Sequence, residues 1–198
     1  MKVARVTASA SELANPASSV WSGVAAEAVK LGPVAIEAQP TEYIREAWKG
    51  KAYGRTAEAM VAAASDGQRL YLRVEWEDDE APNGEFQDAV GGIFPANGGG
   101  ALATLGNADQ PVTMWHWENG RPAALQLTSR GPGVVRKDAG ADLAANGALN
   151  ERRWSVVLSG PASAAKAGKV GVAVWNGSNA ERAGLAAVSR EWLPLEIA

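Results

Sequence analysis

The side chains best suited to chemistry lie in one short segment, residues 112–117. This segment contains Met114 and His116, and two tryptophans flank the histidine. A sulfur and an imidazole in one strand suggest a metal or haem site. Because side chains alternate along a strand, His116 is expected on the face opposite Trp115 and Trp117. An exposed or hydrogen-bonded histidine is the commoner situation, and Met114 is interpreted as a gap-filling side chain.

Other candidate chemistry is weak. Cysteine is absent and His116 is the single histidine, which excludes disulfides, iron–sulfur ligation, bis-histidine haem and multi-histidine zinc sites. No nucleophile elbow or phosphate-binding loop occurs. A carboxylate cluster could hold calcium, but an exposed acidic turn is favoured; it comprises Glu75, Glu77, Asp78, Asp79 and Glu80. The residues by themselves therefore indicate no particular catalytic constellation.

Bulk properties indicate one globular domain. The 198 residues are 46% hydrophobic and 21% charged, which predicts a single domain spanning 1–198, with 1–19 as an N-terminal extension. A formal net charge of -3 gives no electrostatic reason to expect nucleic acid or an anionic membrane as partner. Residues 1–16 lack the apolar run of a secretory signal, and no segment has the roughly 18 apolar residues of a membrane span.

The elements that must position these residues are β-strands. Residues 69–77 alternate strictly, with Leu70, Leu72, Val74 and Trp76 expected on the inward face. The preceding Ser65-Asp66-Gly67 predicts a hairpin turn after an alternating stretch from Thr56 to Ala63. Further strands are predicted at 30–36, 89–94, 112–117, 123–128, 154–159, 169–175 and 192–197.

Short helices are predicted at 41–49 and 163–168, with another at 138–145. The fold class is therefore all-β, an antiparallel sandwich with a few short helices. Several of the eight tryptophans fall at strand ends, where core packing is the favoured interpretation and an aromatic ligand or protein interface is the alternative.

Two sequence blocks carry a family resemblance. The first runs from Leu105-Gly106 through Pro111 to Trp117, and the second is Val174-Trp175-Asn176-Gly177-Ser178-Asn179-Ala180-Glu181-Arg182-Ala183-Gly184, continuing to Ser189. Together they resemble the gamma (haem b) subunit of ethylbenzene dehydrogenase-like, type II dimethyl-sulfoxide-reductase-family molybdenum enzymes. The resemblance extends over about residues 20–197 and implies an immunoglobulin-like β-sandwich.

In that family each block supplies one axial ligand of haem b. Leu105 stands where the family has methionine, and Ala186 stands where it has lysine. Neither side chain can coordinate iron, so the prediction is that the chain lacks a methionine–lysine-ligated haem. The alternative is haem b held by a substitute ligand, with Lys166 or Lys169 as first candidates and Lys137 in another loop.

The resemblance implies a heterotrimer with a molybdopterin catalytic alpha subunit and an iron–sulfur beta subunit. The chain is accordingly predicted to be a non-catalytic accessory or electron-transfer-type subunit of an oxidoreductase complex. It would be periplasmic by co-export with a partner, or cytoplasmic, with no signal peptide of its own. The alternative function is a free-standing β-sandwich module that binds a carbohydrate or another small ligand.

Overall fold

A computed structural model describes residues 1–78, 85–97 and 99–197, and in it the chain is predominantly antiparallel β-structure. The strands are β1 (Lys2–Arg5), β2 (Ala26–Pro33), β3 (Glu58–Ser65), β4 (Arg69–Glu77), β5 (Ala89–Pro95), β6 (Val112–Glu118), β7 (Leu125–Ser129), β8 (Val135–Lys137), β9 (Ala144–Asn150), β10 (Arg153–Pro161), β11 (Lys169–Trp175), β12 (Ala187–Ser189), β13 (Leu193–Pro194) and β14 (Glu196–Ile197). Two α-helices, α1 (Ala10–Ala14) and α2 (Glu42–Trp48), and four 3-10 turns (Ser19–Gly23, Ile36–Ala38, Leu102–Thr104 and Ala162–Ala167) complete the described part.

The strands follow the order β8-β7-β6-β5-β11-β12-β2-β3-β4-β10-β9. The long β2 strand joins the two layers, because its first part pairs with β3 and its last residues pair with β12. We call the layer containing β5, β6 and β11 the site sheet and the layer containing β3, β4 and β10 the back sheet. All pairings are antiparallel except those of β1 with β3 and with β14. The predicted antiparallel sandwich with short helices is confirmed.

The main core lies between the two sheets. Leu70, Leu72, Val74 and Trp76 of β4 all belong to it, as their alternation predicts. The turn before β4 also matches the prediction, since the Asp66 carboxylate accepts bonds from the backbone N–H groups of residues 68 and 69 at 2.8 and 2.7 Å. Burial of apolar side chains from both sheets is the main force that holds the layers together.

Three tryptophans pack together at the end of the sandwich near residue 88. Trp76 stacks on Trp154 with ring centroids 6.0 Å apart, and Trp117 meets Trp154 edge-on at 5.5 Å. The indole N–H of Trp154 donates to a buried Asp88 carboxylate oxygen at 3.1 Å. For these core tryptophans, and for the fully buried Trp115, the packing interpretation is correct.

The outer face of β4 is covered rather than solvent-exposed. Tyr71 is 1% exposed and packs in a separate cluster with Leu13 and Trp21 from the N-terminal segment. Strand β1 adds to the back sheet beside β3. Within the predicted N-terminal extension 1–19, β1 and Leu13 thus pack on the back sheet, while most of the other side chains are partly or fully exposed.

Several predicted boundaries shift. Strand β2 begins at residue 26 rather than 30, and the predicted strand 192–197 is divided into β13 and β14. The helix expected at 138–145 is absent; loop residues lead there into β9, which pairs with β10. The helix at 41–49 is confirmed as α2 with Thr41 as its N-cap, and the segment 163–168 forms a 3-10 turn.

Candidate functional site

A cavity of about 280 Å³ lies on the outer face of the site sheet. We call it the His116 cavity; its wall includes Phe86, Leu105, Met114, His116, Trp175 and Arg182. The floor comes from β5, β6, β7 and β11, and the sides come from loops 85–87, 130–133 and 181–183. The cavity therefore combines rigid strands with loops that are far apart in sequence.

Strand β6 divides its side chains between the two faces of the site sheet. Trp115 and Trp117 enter the main core, whereas Met114 packs in the cluster on the outer face and lines the cavity beside His116. The predicted orientation of His116, opposite both tryptophans, is confirmed. Met114 is 2% exposed, so it fills space in the cavity floor as expected of a flexible thioether.

His116 is a partly buried polar group of the cavity floor, to which Glu118 and Ser129 also belong. Its ring meets the Trp175 ring edge-on with centroids 5.1 Å apart. Within the described part of the chain, no side chain or backbone group hydrogen-bonds to its ring nitrogens. Burial lowers the pKa of His116 below 6.5, and the nearby Glu118 carboxylate offsets only part of that effect. The imidazole is consequently neutral near pH 7, with one nitrogen donor and one free lone pair.

Leu105 lies at the turn that closes one side of the cavity. It caps the 3-10 turn 102–104 in the left-handed region, with φ 54° and ψ 38°, and is 3% exposed. Its carbonyl accepts a bond from the Ser129 hydroxyl at 2.5 Å, and the next N–H, of Gly106, donates to the Ala101 carbonyl at 2.7 Å. A left-handed leucine is uncommon, so these contacts hold a strained loop in one position.

The second block folds into a loop held by Glu181. This residue is 1% exposed, and its carboxylate accepts bonds from Arg55 N–H at 3.2 Å, Asn176 N–H at 3.0 Å and the Asn179 side-chain amide at 3.0 Å. The Trp175 indole N–H donates to the Ala183 carbonyl at 2.9 Å. The sequence motif of this block therefore shapes the loop that leads to Ala186.

Buried Asp88 links the same loop to the main core. One carboxylate oxygen accepts from Trp154, and the other accepts from the Gly177 N–H at 2.8 Å. The Asn176 side-chain oxygen accepts from the Ser178 hydroxyl and the Asn179 N–H, at 2.7 and 2.9 Å. The Asn-Gly-Ser sequence thus forms a turn at this position, stabilised by the Asn176 side chain.

The two loops converge, as the haem resemblance requires. Leu105 and Ala186 belong to the same hydrophobic cluster, and the 3-10 turn 102–104 packs against β12, which follows Ala186. Ala186 is fully buried, and its carbonyl accepts from the Val34 N–H at 3.1 Å. A leucine isobutyl group and an alanine methyl group offer iron no lone pair. These residues do not fit a haem with methionine and lysine as its axial ligands.

The candidate substitute lysines lie elsewhere. Lys169 begins β11 and its ammonium is 5.2 Å from the Trp192 ring centroid, whereas Trp175 of the cavity ends the same strand. Lys166 is in the 3-10 turn that bonds to Gln68 at the hairpin end of the sandwich. Neither lysine lines the cavity. Lys137 is exposed and pairs in register with Leu127 of the cavity wall.

The acidic run from Glu75 to Glu80, for which calcium is the less favoured interpretation, is described only in part. Residues 79 and 80 lie outside the described residues. Among the described ranges, no group of three or more histidine, cysteine, aspartate or glutamate side chains could hold a metal ion. Within the same ranges, no helix is long and apolar enough to cross a membrane.

Sequence reasoning missed several residues of the cavity wall. Phe86 and Arg182 come from two separate loops and Ser129 from the end of β7, and the Arg182 guanidinium lies 4.3 Å from the Phe86 ring centroid. Glu181 belongs to the second sequence block, but residue spacing could not predict that its buried carboxylate accepts three hydrogen bonds. The one signal that could have indicated this role of Glu181 is its position as a carboxylate within a block rich in turn-forming residues.

Comparisons with known proteins agree with the resemblance. The chain is 32% identical over 159 residues to the chlorate reductase subunit gamma of Ideonella dechloratans, covering 72% of this chain and 66% of that protein. It is 26% identical over 156 residues to the dimethylsulfide dehydrogenase subunit gamma of Rhodovulum sulfidophilum, covering 69% and 59%. A Haloferax mediterranei protein named as a respiratory nitrate reductase haem subunit is 26% identical over 200 residues, covering 84% and 72%.

The chain thus spans between about three fifths and three quarters of these relatives' lengths. No family model matches it. Among solved structures, a family 9 carbohydrate-binding module from Caldicellulosiruptor kristjanssonii aligns with a TM-score of 0.50 at 12% identity, over 100% of this chain and 95% of that one. That likeness concerns the β-sandwich fold alone. From its sequence relatives, the chain belongs to the gamma subunits of type II dimethyl-sulfoxide-reductase-family molybdenum enzymes.

Proposed function

We propose that this protein is a non-catalytic gamma-type subunit of a molybdenum oxidoreductase complex and that it lacks the methionine–lysine-ligated haem b of its family. The observation that carries the proposal is the chemistry at two converging loops. Leu105 and Ala186 occupy the ligand positions of the resemblance and contribute only hydrocarbon to a buried cluster. The assignment to an accessory role follows from the gamma-subunit relatives.

In this proposal the chain contributes to the oxidoreductase complex by binding its other subunits. Its partners are a molybdopterin catalytic alpha subunit and an iron–sulfur beta subunit, and the complex is in the periplasm, carried there with a partner. Without an axially ligated iron, the chain has no fixed redox centre, since axial ligands set both the orientation and the potential of a haem. It would then stabilise the complex or shape the region through which electrons leave.

The sandwich itself supports a scaffold role. The loop that carries Ala186 is fixed by Glu181, by Asp88 and by the Trp175 indole, all of which are buried or nearly so. These contacts persist although the residues at the ligand positions have no donor atoms. A fixed loop with no ligand to present is better suited to contacting another subunit or maintaining the fold.

The test is co-expression with the molybdopterin and iron–sulfur subunits, using an affinity tag on the molybdopterin subunit only. We expect this chain to co-purify in a fixed ratio and to melt at a higher temperature in the complex, because a shared interface stabilises the folded form by mass action. The matched control is the same chain expressed alone. A monodisperse monomer that is never retained by the tagged partner would contradict the proposal, and a saccharide-dependent tryptophan fluorescence change would favour the free-standing module.

A further inference from the structure

The His116 cavity has the composition of a small-molecule site. Most of its exposed wall area is apolar, and its polar lining includes Glu118, Ser129 and the His116 imidazole. The imidazole has no hydrogen-bond partner in the described part of the chain. Ligand sites typically combine such a wall with a few polar groups that fix orientation. A partly exposed imidazole without a protein partner can exchange one hydrogen bond with a ligand or solvent in the cavity.

The volume limits the class of ligand. An engineered apolar cavity of about 150 Å³ in another protein binds benzene. The His116 cavity, at about 280 Å³, has room for a molecule of one or two rings. A tetrapyrrole is several times larger than benzene and exceeds this volume.

The wall chemistry also limits the ligand. Phe86, His116 and Trp175 present three rings, and Met114 adds a polarizable sulfur at the floor, a combination that favours aromatic surfaces. Charge at the wall is mixed. Three carboxylates line it, those of Glu85, Glu118 and Glu181, and the last of these is engaged by three hydrogen bonds from the protein. The Arg182 guanidinium lies over Phe86 and donates to the Ala180 carbonyl at 2.8 Å. Nothing in this pattern provides the surplus positive charge that an anion would need.

We propose that the His116 cavity binds a small, neutral aromatic molecule of one or two rings, oriented by a hydrogen bond to the His116 imidazole. The inference goes beyond the subunit assignment, because it needs neither a partner nor a haem. Met114 and Trp175 supply the apolar contact in this site, and Leu105 closes its side where the family has its methionine.

The experiment uses the full chain, in which His116 is the single histidine. Its imidazole therefore gives one set of ring signals in nitrogen–proton correlation spectra of the labelled protein. The probes are 2-naphthol and naphthalene, which share a ring system but differ in one hydroxyl group. We expect saturable shifts of the His116 signal with both and about five- to tenfold tighter binding of 2-naphthol, the gain of one hydrogen bond.

Two variants separate the hydrogen bond from the cavity. His116→Phe should reduce 2-naphthol affinity to that of naphthalene, measured by calorimetry. Leu127→Trp should fill the cavity and abolish binding of both probes, whereas Leu149→Trp, on distant β9, should leave binding unchanged. Melting curves of all three variants confirm that each is folded.

The proposal is overturned if neither probe perturbs His116 in the folded wild-type protein. It is also overturned if His116→Phe binds 2-naphthol as tightly as wild type does. Stoichiometric haemin binding with a His116-dependent Soret band would show that the cavity opens for a tetrapyrrole, and the proposed ligand class would be wrong. These results are independent of the co-purification test, so the subunit assignment and the ligand site can fail separately.

Discussion

Replacing Glu181 with glutamine should destabilise the protein through a loop that the family motif defines. The Glu181 carboxylate is 1% exposed and accepts three hydrogen bonds, from Arg55, Asn176 and the Asn179 side chain, at 3.0–3.2 Å. Glutamine keeps the shape but replaces one oxygen with an NH₂ donor that would face an N–H group. Since a hydrogen bond to a charged group contributes about 1.5–3 kcal/mol, the expected loss is roughly 2–3 kcal/mol.

For a chain of this size, each kcal/mol lowers the melting temperature by roughly 2–4 °C, so Glu181→Gln should melt about 4–12 °C below wild type. Differential scanning calorimetry measures the shift, and urea titration should show a lower midpoint with an unchanged slope. The control is Glu191→Gln, which changes an exposed carboxylate and should shift the melting temperature by less than 1 °C. If both variants melt together with wild type, the loop is not held by this carboxylate and the reasoning is refuted.

Three further predictions follow from the same contacts. Because the cavity beside Leu105 has room for only one or two rings, the double variant Leu105→Met, Ala186→Lys should still bind no haemin, and a b-type spectrum of the folded double variant would contradict that size limit. Ala186→Lys alone should lower the unfolding free energy by about 3 kcal/mol or more in urea titration, because it buries an unpaired charge. His116 should titrate with a pKa below 6.5 in nuclear magnetic resonance spectra, and a pKa above 6.5 would contradict burial as the cause. Because the unfolded state then binds more protons than the folded state, the wild-type protein should lose stability relative to His116→Gln as the pH falls from 6.5 toward the folded-state pKa. Gly184→Ala should destabilise by about 1–3 kcal/mol, since an added methyl would lie 2.4 Å from both the Gln39 side-chain oxygen and Pro132, and an unchanged urea midpoint would refute that packing.

The sequence predicted those parts of the fold where one strong pattern acts alone. Strict alternation located the inward face of β4, and Asp66-Gly67 located its hairpin, because register and turn chemistry are local. The burial of Tyr71 could not be predicted in this way. It depends on Leu13 and Trp21, which come from a segment with no periodic signal.

Other differences arise from residues with weak preferences. Strand β9 reads Ala-Ala-Asn-Gly-Ala-Leu-Asn, which has small residues where a half-buried strand usually has β-branched or aromatic ones, so pairing with β10 decides its structure. The expected helix at 138–145 was wrong for the same reason, since tertiary pairing overrides propensity over short segments.

The site was only partly predictable. Alternation placed His116 opposite the tryptophans, and the family resemblance brought Leu105 and Ala186 into one region, where the structure puts them in one cluster. The sequence did not predict the cavity, because Phe86, Arg182 and the β7 residue Ser129 reach it from segments that no local pattern connects. Such a cavity wall depends on the strand order of the whole sheet, which brings segments that are distant in sequence together.

The central claim is that this gamma-type subunit works in its complex without a methionine–lysine-ligated haem. The most direct measurement is a pyridine haemochrome assay, with an absorption spectrum of the reduced protein, on the native complex purified through its molybdopterin subunit. We predict that this chain is present in a fixed ratio to the tagged subunit and that b-type haem is far below one per chain. One b-type haem per chain, with sharp reduced bands, would contradict the account.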